Sequence, residues 1–167
     1  LLHGFLAHNK MEIIESAQQT LLDIGYNSLA INLSLGIDNR HGFHGCTRSH
    51  RHTQDNSIKE LAAWVEWLRR KGVEDITLMG HSTGANQLIV YAMEQLDPEV
   101  SRIVLLAPST SGTERNREIY QSRYNVNFMD VISSLKKKVT QGNGDRLMKI
   151  DWNSCPQADT TPQSFLS

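Results

Sequence analysis

The sequence predicts an α/β fold, a parallel sheet with flanking helices followed by a helical cap segment, on three observations. Over the first two-thirds of its 167 residues, short β-compatible apolar runs alternate with stretches of helical periodicity. One of those runs leads into Gly80-His81-Ser82-Thr83-Gly84, a Gly-x-Ser-x-Gly pattern at a strand-to-helix junction. After Ala107-Pro108 the chain turns polar and helix-prone, with no strand pattern over 111–150. A composition of 39% hydrophobic and 21% charged residues suits one soluble globular domain with a real core.

The elements follow in order. Leu1-Leu2 reads as the tail of a strand. Residues 11–24 read as a helix with Ile14, Ala17, Leu21 and Ile24 on one face, and Gly25 is its natural stop. Residues 28–33, Ser-Leu-Ala-Ile-Asn-Leu, form the next strand. Ser57-x-x-Glu60 reads as a capping box for a helix to Lys71, with Ile58, Leu61, Ala62, Val65 and Leu68 facing inward and Gly72 after it. Residues 76–79, Ile-Thr-Leu-Met, are apolar enough for a strand buried on both faces. A helix over 83–96 carries Ala85, Leu88, Ile89, Ala92 and Leu96 at helical spacing, and Asp97-Pro98 stops it. Residues 102–106, Arg-Ile-Val-Leu-Leu, are the last strand, and this alternation implies parallel pairing with right-handed crossovers. Two further helices are expected near 114–123 and 128–140, where Lys136-Lys137-Lys138 reads as a solvated face. The chain thus divides into a core over 1–110, a helical cap or lid over 111–150, and the start of a return to the core over 151–167.

Residues 80–84 carry the chemistry. A nucleophilic serine must stand clear of the backbone, near a base and beside amide N–H groups. A tight strand-to-helix turn presents it that way, but strains the serine's φ/ψ and crowds its neighbours. Gly80 and Gly84, two before and two after Ser82, relieve the crowding. The pattern alone arises by chance in about one chain in twenty of this size. The strand before it and the helix after it set this instance apart from a glycine-rich turn holding a bystander serine.

Bulk properties exclude several classes. A net charge of -1 gives no basic surface for nucleic acid and no acidic block. No apolar run approaches the ~18–20 residues of a membrane span. Two cysteines, Cys46 and Cys155, are too few for a disulfide scaffold and lack Cys-x-x-Cys spacing. Leu1-Leu2-His3-Gly4-Phe5 opens inside a strand without an initiator methionine, and residues 162–167 stop without helix or strand closure. The sequence therefore reads as a fragment truncated at both ends, with its compartment open.

His3-Gly4-Phe5 after the first strand, Gly80-His81-Ser82-Thr83-Gly84 at the elbow and Ala107-Pro108 after the next strand occur in the order of one superfamily. Over residues 1 to about 110 the chain resembles the α/β-hydrolases. Within them it is similar to bacterial serine hydrolases of the serine aminopeptidase and monoacylglycerol-lipase type, whose loop resembles residues 32–42, Asn-Leu-Ser-Leu-Gly-Ile-Asp-Asn-Arg-His-Gly. The resemblance implies an α/β-hydrolase fold fragment with Ser82 as nucleophile. It implies an oxyanion hole from the backbone N–H groups of Phe5 and Thr83, donors typically worth ~3–4 kcal/mol each. A serine at the elbow argues against relatives that use aspartate there, the epoxide hydrolases and haloalkane dehalogenases. The acid and then the histidine follow the serine in this family. All seven histidines precede Ser82, so the acid and base are expected beyond residue 167. For His3 and His81 a packing or hydrogen-bonding role is expected.

The loop over 38–55 holds His41, His44, Cys46, His50 and His52. Their spacing matches no familiar zinc pattern, so no metal is expected. Substrate-side contacts, with His41 and His44 as candidates, and a solvated loop both stay open. Asp38 and Arg40 are candidates to pair and order the loop. A Cys46–Cys155 disulfide fastening the cap and a pair of unpaired thiols also both stay open; a disulfide would favour an oxidising compartment.

The reading is a serine hydrolase acting on a small-molecule carboxylic ester through an acyl-enzyme on Ser82, without cofactor, nucleic-acid partner or membrane span. The rival is a non-catalytic α/β-hydrolase-like domain that keeps the elbow as architecture and serves binding. By itself the fragment, lacking acid and base, is expected to be inactive.

Overall fold

Two parallel strands, β1 (Ile76–His81) and β2 (Val100–Leu106), pair from Thr77 opposite Arg102 to His81 opposite Leu106. The structure, a computed structural model, describes residues 1–95, 97–109, 112–152 and 155–167. It comprises two compact units, one of residues 1–44 and 55–109, the other of residues 45–54 and 110–167.

In the first unit the sheet extends beyond β1. Leu2 forms a parallel bridge with Gly80, donating to the Met79 carbonyl and accepting from the His81 N–H. On its far side, Leu1 donates to the Leu29 carbonyl and accepts from the Ile31 N–H. Residues 28–33 were expected as a full strand but form no regular ladder. Ile31 and Leu33 are nevertheless buried as a strand's core residues would be. β1 was expected to be buried on both faces; instead Ile76, Leu78 and Gly80 are buried while Thr77 is exposed and Met79 half-buried.

Three helices flank this sheet: α1 (Glu12–Asp23), α2 (Gln54–Arg70) and α3 (Thr83–Glu94). The first two end as their glycines require. Gly25 and Gly72 adopt φ of +84° and +80°, which lets Tyr26 donate back to Leu21 and Val73 to Leu68. Because α1 closes this way at Asp23, Ile24 leaves the helix and is 65% exposed rather than on the buried face.

α2 corrects the expected capping box. It begins three residues before Ser57, which is buried inside the helix. The Glu60 carboxylate accepts from the Ser34 N–H at 2.8 Å and from the Ser34 hydroxyl, so it ties a loop rather than a helix end. The inward face is as read: Ile58, Leu61 and Val65 are buried, and Ala62 and Leu68 half-buried. α3 buries Gly84, Ala85, Leu88 and Tyr91, whereas Ile89 is 41% exposed. It ends at Glu94, and the expected contact residue Leu96 lies outside the described residues.

The second unit contains α4 (Thr113–Tyr124), α5 (Phe128–Thr140), β3 (Met148–Trp152), β4 (Cys155–Thr160) and α6 (Pro162–Leu166). Both helices expected from the sequence are present. Asn127 caps α5 by accepting from the Met129 N–H. Lys136 and Lys137 are exposed. The antiparallel β3–β4 hairpin was not anticipated, and it joins stretches that the sequence reading divided at residue 150, because β3 spans that division. Residues 162–167 were read as unclosed, yet Thr161 caps α6 with Pro162 in its first turn.

Residues 45–54 belong to this unit for a covalent and a backbone reason. Cys46 and Cys155 form a disulfide with Cα atoms 5.2 Å apart. His50 donates to the Asp159 carbonyl and accepts from the Thr161 N–H, a parallel bridge at Thr160. Within the segment His50 is fully buried, its ring edge-on to Trp152 at 5.0 Å, while residues 47–49 and 51 are exposed. No helix among the described residues is long and apolar enough to cross a membrane.

Candidate active site

Ser82 sits between the end of β1 and the first turn of α3 with φ 54° and ψ -122°. This positive φ is costly for a residue with a side chain and is held by its surroundings. The Ser82 N–H donates to the Leu106 carbonyl at 2.9 Å, and its own carbonyl accepts from Ala85 at 3.0 Å. The side chain is half-buried.

The two glycines of the pattern are demanded by contact. A Cβ on Gly80 would lie 2.7 Å from the Gly84 carbonyl group and 2.8 Å from the Ala85 nitrogen. One on Gly84 would press into the His3 carbonyl oxygen and stand 2.9 Å from that of Leu2. These are backbone atoms that cannot swing aside. α3 therefore approaches residues 2–3 at a distance only glycine permits, and the serine is carried at that junction.

The turn over residues 4–7 lies against the same point. A Cβ on Gly4 would be 3.2 Å from Ser82 Cβ and 3.5 Å from His81 Nδ1. The turn closes through Ala7 N–H to the Gly4 carbonyl, with Leu6 at φ 53°. Of the two residues expected to donate to an oxyanion, Thr83 follows Ser82 and opens α3, and Phe5 follows Gly4 in the turn that lies against Ser82.

Behind the turn lies a buried polar network. His3, 2% exposed, faces the Gly4 carbonyl through Nδ1 at 2.9 Å and the Leu33 N–H through Nε2 at 3.2 Å. Burial, with a smaller contribution from the Arg40 charge, pushes its pKa down to about 4 against the raising effect of the Gly4 hydrogen bond. The neutral ring therefore carries its proton on Nδ1. Both ring nitrogens are engaged, so the hydrogen-bonding role expected for His3 holds and it is not a base for Ser82.

Asp38 was a candidate partner for Arg40; the guanidinium instead turns inward. It donates to the carbonyls of Leu33 at 2.6 Å, Ala7 at 2.9 Å and Gly42 at 2.6 Å, and to Asn32 Oδ1 at 2.7 Å. A fifth contact reaches His3 Nε2 at 3.1 Å. Asp38 is exposed. The reason is geometric: a guanidinium has five donors, and the converging loop carbonyls satisfy them better than one carboxylate in solvent. Burial lowers the Arg40 pKa, and the Glu60 charge partly offsets this.

The loop histidines part company. His41 is exposed, while His44 is buried with its N–H donating to the Leu6 carbonyl at 2.8 Å. Cys46, engaged in the disulfide, is no thiolate ligand for a metal. Sequence reasoning missed Asn86, whose amide clamps Ser109 by donating to its carbonyl at 2.9 Å and accepting from its N–H at 3.0 Å. That clamp fixes the chain leaving β2 against the first turns of α3. No sequence signal marks it, since both its partners are backbone groups.

The family described as the α/β-hydrolase fold matches residues 1–143. A Mycoplasma pneumoniae protein named "Putative esterase/lipase 3" is 36% identical over 107 residues, which are 64% of this chain and 34% of that relative. The matched segment thus spans about a third of the relative's length. No solved structure matches the chain.

Proposed function

We propose, from the premise that this chain belongs to the α/β-hydrolase fold family, that it carries the nucleophile and oxyanion hole of a serine hydrolase acting on small-molecule carboxylic esters. The observation that carries this reading is Ser82 itself. A side-chain-bearing residue stands at φ 54° between β1 and α3, at a junction where neighbouring backbone excludes any Cβ from Gly80 and Gly84. Strain maintained by close approach on both sides is what an exposed nucleophile requires. The name of the Mycoplasma pneumoniae relative supports an ester as the bond attacked.

In this reading Ser82 Oγ attacks the ester carbonyl carbon while a general base takes its proton. The resulting oxyanion faces the N–H groups of Thr83 and Phe5, with the N-terminal end of the α3 dipole at the same point. Collapse expels the alcohol and leaves an acyl-enzyme on Ser82, which water then hydrolyses. The acid and base come from a longer protein of which this chain is the nucleophile-bearing part. Residues 111–150 serve it as a cap. The Cys46–Cys155 disulfide fits work in an oxidising compartment.

The test is turnover of short-chain esters by the full-length protein and its Ser82→Ala variant. Turnover is expected to fall by about 10³-fold or more, because the oxyanion hole alone retains only a residual rate. Turnover within a few-fold of the parent would remove Ser82 from the chemistry.

A further inference from the structure

The turn over residues 4–7 has its carbonyls held from behind. The Gly4 oxygen accepts from Ala7 N–H and from His3 Nδ1, the Leu6 oxygen from His44 N–H, and the Ala7 oxygen from Arg40 Nη1. In a trans peptide the C=O and the following N–H point in opposite directions. Fixing the Gly4 carbonyl therefore fixes the direction of the Phe5 N–H, on a turn packed against Ser82.

His3 can hold that carbonyl only with its proton on Nδ1. Two donors meet Nε2 and settle the matter: the Leu33 N–H at 3.2 Å and Arg40 Nη2 at 3.1 Å. The guanidinium has donors and no acceptor, so the lone pair is on Nε2 and the proton on Nδ1. Arg40 in turn is oriented by Asn32, which accepts from Nη2 through Oδ1 and donates through Nδ2 to the Arg40 carbonyl. A buried charge held by backbone carbonyls in this way is costly to assemble and rigid once made.

We propose that Arg40 is a positioning residue for the oxyanion hole: together with Leu33 it holds the neutral His3 ring by Nε2, it clamps Ala7, and through both it aims the Phe5 N–H at Ser82. This rests on the reading of Ser82 as nucleophile. Arg40 touches no reacting atom. Its effect belongs to the transition state, because only there does negative charge face the Phe5 donor.

The experiment uses the full-length protein with Arg40→Met, which keeps the bulk of the side chain and removes its donors, and Asn32→Ala as a milder variant should Arg40→Met fail to fold. The His3 ring nitrogens are read from long-range nitrogen–proton NMR correlations, and kcat and KM are measured on a short-chain ester. The Leu33 N–H is expected to preserve the Nδ1–H tautomer while the Nε2 resonance shifts on losing its Arg40 donor, with kcat lower by about 10²-fold, the scale a misplaced catalytic group can cost, and KM within about two-fold. An Nε2 resonance unchanged in the folded variants overturns the proposal, whatever happens to the rate. An unchanged kcat beside a shifted resonance overturns the link to the oxyanion hole. If wild-type turnover proves independent of Ser82, the nucleophile reading fails by itself, and the His3 spectrum still decides what Arg40 does.

Discussion

His3 has both ring nitrogens engaged, Nδ1 with the Gly4 carbonyl and Nε2 with Leu33 and Arg40. Burial, aided by the Arg40 charge and opposed by the Gly4 hydrogen bond, lowers its pKa to about 4 on folding, against 6.5 when the ring is free in water. Between those values the unfolded chain binds a proton that the folded one refuses, so stability falls as pH falls through that window and is fully present above pH 6.5. A shift of this size corresponds to about 3 kcal/mol. His50, buried in the second unit, is shifted down as well and adds a loss in the same direction. Urea denaturation at pH 7 and pH 5 is expected to show a marked drop for the wild type and a smaller drop for His3→Gln, which cannot protonate. Equal drops in the two proteins would show that His3 does not titrate in this way.

At the scale of elements, the approach of α3 to residues 2–3 is the contact on which the serine's presentation depends. Gly84→Ala places a methyl against the backbone carbonyls of Leu2 and His3, the first of them held in the sheet by the His81 N–H. The expected loss of stability is at the upper end of the about 1–3 kcal/mol that overpacking costs. Gly45→Ala is the control, since its added methyl finds only Thr47 Oγ1 at 3.9 Å, and a change within about 0.5 kcal/mol is expected. Chemical denaturation of both variants checks this, and a Gly84→Ala protein as stable as the control would contradict the packing described. This element was legible in the sequence because its requirement is local: small residues flank Ser82, a strand precedes it and a helix follows. The Ser57-x-x-Glu60 pattern was equally local and misled, because Glu60 is engaged by Ser34, 26 positions away. Arg40 was unreadable for a similar reason. Three of its partners are backbone carbonyls, one of them 33 residues distant, and carbonyls leave no mark on a sequence. The β3–β4 hairpin was hidden by its polar composition, since Lys149 and Asp159 form a cross-strand ion pair where an apolar alternation would have signalled a strand.

At the scale of the whole molecule, residues 55–109 of the first unit are inserted between the two segments of the second, and the Cys46–Cys155 disulfide joins those segments across 109 positions of sequence. The first unit contains Ser82, Phe5, Thr83 and the Arg40 network, so the proposed nucleophile and its surroundings lie in one unit. The chain belongs to the α/β-hydrolase fold family; the proposal that Ser82 is the attacking atom goes further and can be tested directly. A fluorophosphonate reacts with a serine only where a base and oxyanion donors activate it, and it leaves a covalent adduct on that residue. The full-length protein, treated with such a reagent and digested, is expected to carry one adduct, on the peptide that contains Ser82, and Ser82→Ala is expected to carry none. An adduct on another serine, or undiminished labelling of Ser82→Ala, would contradict the account.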